Sequence, residues 1–151
     1  MQRPTVRVAG PRRGFSLTEL LLVVVVIGIL LAMTAPRIAS ALARRSVVGA
    51  AAGFESLFRR AKATAIQSRL PATITFASGV ASVSVVRAGS SVVIGQNLDF
   101  ASQYGVTATP SAVALMIEPT GLVLTGTPFT FIATKGDAAD TVRITGYGRV
   151  E

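Results

Sequence analysis

Arg12-Arg13-Gly14-Phe15-Ser16-Leu17-Thr18-Glu19-Leu20 runs without a break into the apolar stretch Leu21–Ala35, and Pro36 follows. Between Phe15 and Ala35 the polar side chains are Ser16, Thr18, Glu19 and Thr34. As a helix this stretch would rise about 30 Å, the thickness of one hydrocarbon core. Val23–Val26 favours strand by propensity. Lipid, however, leaves every backbone N–H and C=O to be satisfied inside the segment, so helix is expected there. Pro36 removes one helical hydrogen bond and crowds the preceding turn, so the spacing predicts a kink at Pro36 without requiring an end.

Beyond Pro36 the apolar positions Val47, Ala51, Phe54, Phe58, Ala61 and Ala65 alternate four and three apart, an amphipathic helical stripe. Arg44, Arg45, Glu55, Arg59 and Lys62 fall largely off it, and Pro71 stops the run. One long helix is therefore expected, with residues 15–35 crossing a membrane and residues 36–69 continuing as an amphipathic segment. From residue 70 to 151 the period changes to that of strands. Candidates are Ala72–Phe76, Val80–Arg87, Val92–Ile94, Val106–Ala108, Val113–Ile117, Gly121–Leu124, Phe129–Thr134 and Thr141–Thr145, with turns at Ala88–Ser91 and Lys135–Asp137. A long helix followed by antiparallel strands defines an α+β fold. Phe54 and Phe58, the large residues of the stripe, are expected to pack the helix on the sheet.

Composition narrows the function. The 151 residues are 50% hydrophobic and the mean hydropathy is +0.59, high for a chain that lives wholly in water. No Cys and no His occur, which removes thiol chemistry, a histidine-based triad and a His-ligated zinc site. Asp99, Glu118, Asp137 and Asp140 are scattered, and Lys62 and Lys135 have no serine at a recognisable spacing, so no catalytic constellation emerges. Asp137 and Asp140 could contact Ca²⁺ in the 135–140 turn, but two carboxylates without a ladder of ligands do not define a site. No metal, cofactor or enzymatic activity is expected. The net charge of +8 is uneven. Arg3, Arg7, Arg12 and Arg13 crowd the first fourteen residues, and Arg37, Arg44, Arg45, Arg59, Arg60 and Lys62 follow the apolar run, opposed by Glu55 alone. Residues 1–14, broken by Pro4, Gly10, Pro11 and Gly14, are expected to be a leader removed from the mature chain.

The segment from Arg12 to Leu20 closely resembles the signal of type IV prepilins: a short basic leader, a glycine, a phenylalanine, and a glutamate four residues after it. The resemblance implies cleavage between Gly14 and Phe15 by a prepilin peptidase and N-methylation of Phe15 by the same enzyme. It implies that Glu19 pairs with the α-amino group of a neighbouring subunit during assembly. Pro36 matches the helix-breaking proline of pilins in its spacing from the phenylalanine. A lone glutamate in a membrane helix costs up to ~3 kcal/mol at the bilayer centre and less near an end, so a partner is expected for it. Ser16 and Glu19 also form an S-x-x-E capping box, which would satisfy the first N–H groups of the helix and is compatible with assembly.

Ile117-Glu118-Pro119-Thr120-Gly121, with Val142-Arg143-Ile144-Thr145 and Gly148-Arg149-Val150, resembles the GspH/FimT family of minor pseudopilins. That resemblance implies two β-sheets packed on the helix. It also implies a minor subunit of a type II secretion pseudopilus, assembled with other pseudopilins in a hetero-oligomeric filament. The implied location is the inner membrane, spanned once, with the leader cytoplasmic and residues 70–151 periplasmic. The alternative within the class is a minor type IV pilin, FimT/FimU-like, serving pilus assembly or DNA uptake. DNA binding is disfavoured, because Glu151 stands where such tails carry a second arginine, and Arg143 with Arg149 neutralises few phosphates. A secretory signal cleaved at Ala39-Ser40-Ala41 is the remaining rival. The apolar run is long for a signal peptide of that kind, and cleavage there would discard half the helix.

Overall fold

The computed structural model describes residues 15–125 and 127–151, with the backbone alone at Pro36. It divides into two compact units, residues 1–38 and residues 39–151. A single helix, α1 (Leu17–Ser68), contributes to both. The helix ends where Arg69 turns to φ 56°, a left-handed conformation that closes many helix C-termini, and Pro71 prevents resumption.

In the first unit the apolar side chains of α1 are exposed from Leu17 through Ala35 and at Ile38. An 18-residue window reaches a mean hydropathy of 2.6 with none of it buried, so this helix is long and apolar enough to cross a membrane. An apolar surface of that kind is costly in water and neutral in lipid, which is why a span can be apolar on every side.

The second unit holds residues 39–68 of α1 and two antiparallel sheets. β1 (Ala72–Ala77) and β2 (Val80–Arg87) form a hairpin, extended by β3 (Ser90–Val93) beside β2 and by β6 (Ala114–Ile117) beside β1. β4 (Leu98–Asp99) also pairs with β2, at Val80 and Ala81. The second sheet has the order β5 (Thr107–Pro110), β7 (Phe129–Lys135), β8 (Ala138–Ile144). In β1 and β7 buried and half-buried residues alternate, the pattern of strands with one face on a core. This is the α+β architecture read from the sequence.

The stripe on α1 meets this core. Val47, Ala51, Phe54, Phe58, Ala61 and Ala65 are all buried, and Ala50 and Leu57 widen the face. Phe54 lies at the centre of a ring cluster. It stacks on Phe131 of β7 at 4.4 Å between centroids and approaches Phe76 of β1 at 5.7 Å and Phe129 of β7 at 5.8 Å. One helical side chain thus joins both sheets. Phe58 is buried in the same core without a ring partner among the described residues.

Three local expectations change. The turn expected over Ala88–Ser91 is the two-residue turn Ala88-Gly89, both at positive φ, and Ser90 and Ser91 belong to β3. Such turns match the twist of the strands they join, which explains the tight hairpin. The turn expected over Lys135–Asp137 likewise shrinks to Gly136-Asp137, with Lys135 in β7. Gly121–Leu124 does not form a strand. Its bonds are shared out, Leu122 O with Glu118 N, Leu124 N with Met116 O and Val123 N with Gly146 O, so it links the sheets instead of joining a ladder. A short helix unforeseen in the sequence, α2 (Phe100–Tyr104), follows β4. Asp99 caps it by accepting from the N–H groups of Ala101 and Ser102, each at 3.0 Å. The bonds from Ser102 hold the Asp99 carboxyl below the usual carboxylate range, with Ala101 adding to the effect.

Candidate assembly site

The proposed cleavage point has Gly14 outside the described residues and Phe15 as the first residue inside them. Phe15 is exposed. Ser16 then caps α1. Its carbonyl accepts from the N–H groups of Glu19 and Leu20, both at 3.1 Å, and its hydroxyl lies 3.4 Å from Glu19 N. One half of the capping box is therefore formed, while the Glu19 carboxylate makes no hydrogen bond or ion pair among the described residues. A carboxylate one turn into a helix is favoured by the positive end of the helix dipole. That orients Glu19 at the same end as the residue whose amine cleavage would create.

Around Glu19 the surface is uniformly apolar, with Leu17, Leu20, Leu21, Leu22 and Val23 exposed. A charge in such surroundings interacts strongly with an opposite charge and weakly with anything else. Further along, the Thr34 hydroxyl donates to Leu30 O at 2.7 Å, two residues before Pro36. α1 continues through Pro36.

In the second unit the two segments quoted for the GspH/FimT resemblance come together. Gly121 closes the turn from Glu118 through a bond of its N–H to Glu118 O at 2.8 Å. Gly148 closes another, donating to Thr145 O at 2.8 Å. Both glycines are buried with positive φ, 81° and 67°. A Cβ on Gly148 would fall on the carbonyl oxygen of Gly121, so nothing larger than hydrogen fits. Lys62 of α1 donates from Nζ to Gly148 O at 3.0 Å and ties this corner to the helix. Gly148→Ala is expected to cost roughly 2 kcal/mol or more, from left-handed strain and displacement of the Gly121 turn. Urea unfolding of the full chain in detergent checks it. An unchanged midpoint would show that the corner yields without strain.

The basic residues of α1, which fall largely off its apolar stripe, take varied positions. Arg59 pairs with Glu55 at 3.0 Å, and Arg60 donates to Gln96 O at 3.2 Å. Lys62 holds Gly148, as above. Lys135 of β7 reaches Ser46 Oγ at 3.0 Å and Tyr104 O at 3.3 Å. Arg60, Lys62 and Lys135 therefore act as fasteners between α1 and distant loops. Sequence reasoning missed them because their partners include backbone carbonyls, which no residue pattern announces. In the 135–140 hairpin Asp140 Oδ1 accepts from Thr141 N at 2.8 Å, and no group of three or more acidic residues that could hold a metal ion occurs among the described residues. Arg143 and Arg149 lie exposed on the hairpin made by β8 and the last residues of the chain.

A long N-terminal helix leading into an antiparallel β-domain is the type IV pilin fold, and this chain has it. The family described as the prokaryotic N-terminal methylation motif matches residues 11–35. Two crystal forms of the type IV minor pilin FimU of Pseudomonas aeruginosa strain PAO1 are similar in structure, each at 20% sequence identity. The first has a TM-score of 0.60 over 72% of this chain and 88% of FimU, and the second 0.56 over 68% and 89%. No curated protein matches the chain. The chain therefore has a type IV pilin-like fold and carries an N-terminal methylation motif on an apolar helix that suits inner-membrane anchoring. Its matches are to a pilin structure and a methylation motif, and neither is an enzyme family.

Proposed function

We propose that this protein is a minor subunit of a pilin-class filament. On this reading prepilin peptidase cuts between Gly14 and Phe15 and methylates Phe15, and Glu19 then receives the α-amino group of another subunit. The observation that carries the reading is the pairing of a methylation motif over residues 11–35 with a Glu19 carboxylate that has no partner among the described residues. The apolar surface of α1 then serves lipid before assembly and packed helices after it. Pro36 is the point where the helix is expected to bend as a subunit leaves the bilayer. Phe54 and Phe58 carry the helix-to-sheet packing that makes the globular part travel with the helix.

Within that class the first reading is a minor pseudopilin of a type II secretion pseudopilus, which assists protein export across the outer membrane. It is supported by the two glycine turns at Gly121 and Gly148, the segments that resemble the GspH/FimT family. The second reading, a minor type IV pilin, is favoured by the structural likeness to FimU. Deleting the gene and scoring both export of folded proteins and pilus assembly separates them.

The processing step is tested by intact mass and N-terminal sequencing of the membrane-purified protein, with and without the peptidase. A mature chain beginning at methylated Phe15, lost when the peptidase is absent, is expected. A chain beginning at Met1 or Leu42 in the presence of the peptidase would remove the filament-subunit reading.

A further inference from the structure

A cleft of about 220 Å³ opens in the second unit between α1, the segment that joins β3 to β4, and α2. Its polar lining is Ser56 and Arg60 of α1, Gln96 and Asn97 of the joining segment, and Gln103 and Tyr104 of α2. Two glycines keep it open. Tyr104 lays its ring over α1, and a Cβ on Gly53 would stand 2.6 Å from the phenolic oxygen. Gly95 sits at φ 77°, and a Cβ there would press on the Arg60 guanidinium at 3.1 Å.

The donors around this cleft are gathered and left unused. Arg60 donates from Nη2 to Gln96 O at 3.2 Å and has no carboxylate partner among the described residues. That bond and the close approach of Gly95 hold the guanidinium in place, and the rest of its donor fork is open to a ligand. The hydroxyls of Ser56 and Tyr104 and the carboxamides of Gln96, Asn97 and Gln103 have no hydrogen-bond partner among the described residues. The lining contains no acid. Glu55, beside Ser56 in sequence, pairs with Arg59 at 3.0 Å, and Asp99 is occupied with the N–H groups of Ala101 and Ser102. The cleft therefore carries one uncompensated positive charge.

We propose that this cleft receives a carboxylate borne by another protein, an aspartate or glutamate side chain on an extended segment that crosses α1 beside α2. The guanidinium fork takes the carboxylate oxygens, and the Tyr104 hydroxyl donates to one of them. The carboxamides both donate and accept, so they suit the N–H and C=O groups of the segment's backbone. Charge selects the ligand. One guanidinium balances one carboxylate, whereas a nucleic-acid strand needs further cations along its path. None lines the cleft, since Arg59 is paired and Lys62 is bonded to Gly148 O. Size agrees, because the volume lies below the roughly 300–1,000 Å³ of pockets that enclose drug-sized ligands and suits a single side chain. The anchored guanidinium is ordered before binding, which lowers the entropy lost on contact.

The test uses the full chain in a nonionic detergent. The protein has no tryptophan and two tyrosines, so Tyr147→Phe, at a position 84% exposed and outside the lining, leaves Tyr104 as the single emitter. A carboxylate that accepts from the phenol quenches its emission. The peptide acetyl-Ala-Glu-Ala-amide is expected to quench it saturably, and acetyl-Ala-Gln-Ala-amide to bind about tenfold more weakly. Arg60→Gln is expected to weaken the glutamate peptide by about tenfold with unchanged circular dichroism. Gln103→Glu sets a negative charge in the cleft without touching the Arg60–Gln96 bond, so it weakens binding too and replaces Arg60→Gln if that variant fails to fold. No saturable quenching, equal binding of the two peptides, or binding unchanged by the substitutions would overturn the proposal. So would acetate or inorganic phosphate binding as tightly as the glutamate peptide.

Discussion

Replacing Phe54 with alanine is expected to destabilise the sheet-bearing unit by about 3–5 kcal/mol. The side chain is fully buried and contacts rings from β1 and β7, so truncation opens a cavity that neither sheet can fill alone. Burial of a phenylalanine contributes about 2–3 kcal/mol by transfer, and the cavity adds the rest. Phe58→Ala removes similar area but no ring stacking, so it should fall at the lower end of the range. Denaturant unfolding of the full chain in detergent, followed by near-ultraviolet circular dichroism, measures both. A Phe54 loss smaller than the Phe58 loss would mean that the ring cluster is not the keystone of the core.

If the proposed filament role holds, Glu19→Ala is expected to leave leader removal intact and to lower incorporation into filaments at least tenfold. Two unit charges about 4 Å apart attract by about 4 kcal/mol at an effective dielectric of 20, before desolvation is subtracted, and among the described residues no other carboxylate lies in the apolar stretch of α1 to replace it. Counting tagged subunits in sheared filaments against those left in membranes gives the ratio. The cap provides an internal control. The Ser16 carbonyl bonds to backbone N–H groups that survive the substitution, so helix content should not change. Normal incorporation of Glu19→Ala would leave Glu19 with a dipole-stabilising role only.

Much of this was legible in the sequence because two periodicities dominate it. The apolar run and the four-three stripe gave α1 to within two residues at its start and one at its end, since a long helix repeats its signal many times. β1, β2 and β7 were legible as strands because each alternates over six or more residues. β8 was read only over Thr141–Thr145 and in fact starts at Ala138, because Ala138-Ala139-Asp140 carries no apolar alternation. β4 and α2 were not, because two and five residues are too few to show a period. Asp99 and Gly105 do flank α2 as a cap pair, a signal that was present and went unread. Gly121–Leu124 misled because β-branched composition near a glycine says nothing about whether the backbone bonds go to one partner or to three. Lys62, Arg60 and Lys135 were silent for the same reason: their meaning lies in carbonyls up to 86 positions away.

That last distance has a consequence for biogenesis. Phe129, Phe131, Val142 and Ile144 complete the core, and Lys62 finds Gly148 only after the strands that carry them have emerged. Closing so long a loop is slow and comes late. A chain interrupted before β8 would display an open core to proteases while α1 was already formed. The corner at Gly148 thereby closes among the last contacts of the fold, after the strands it borders have been made.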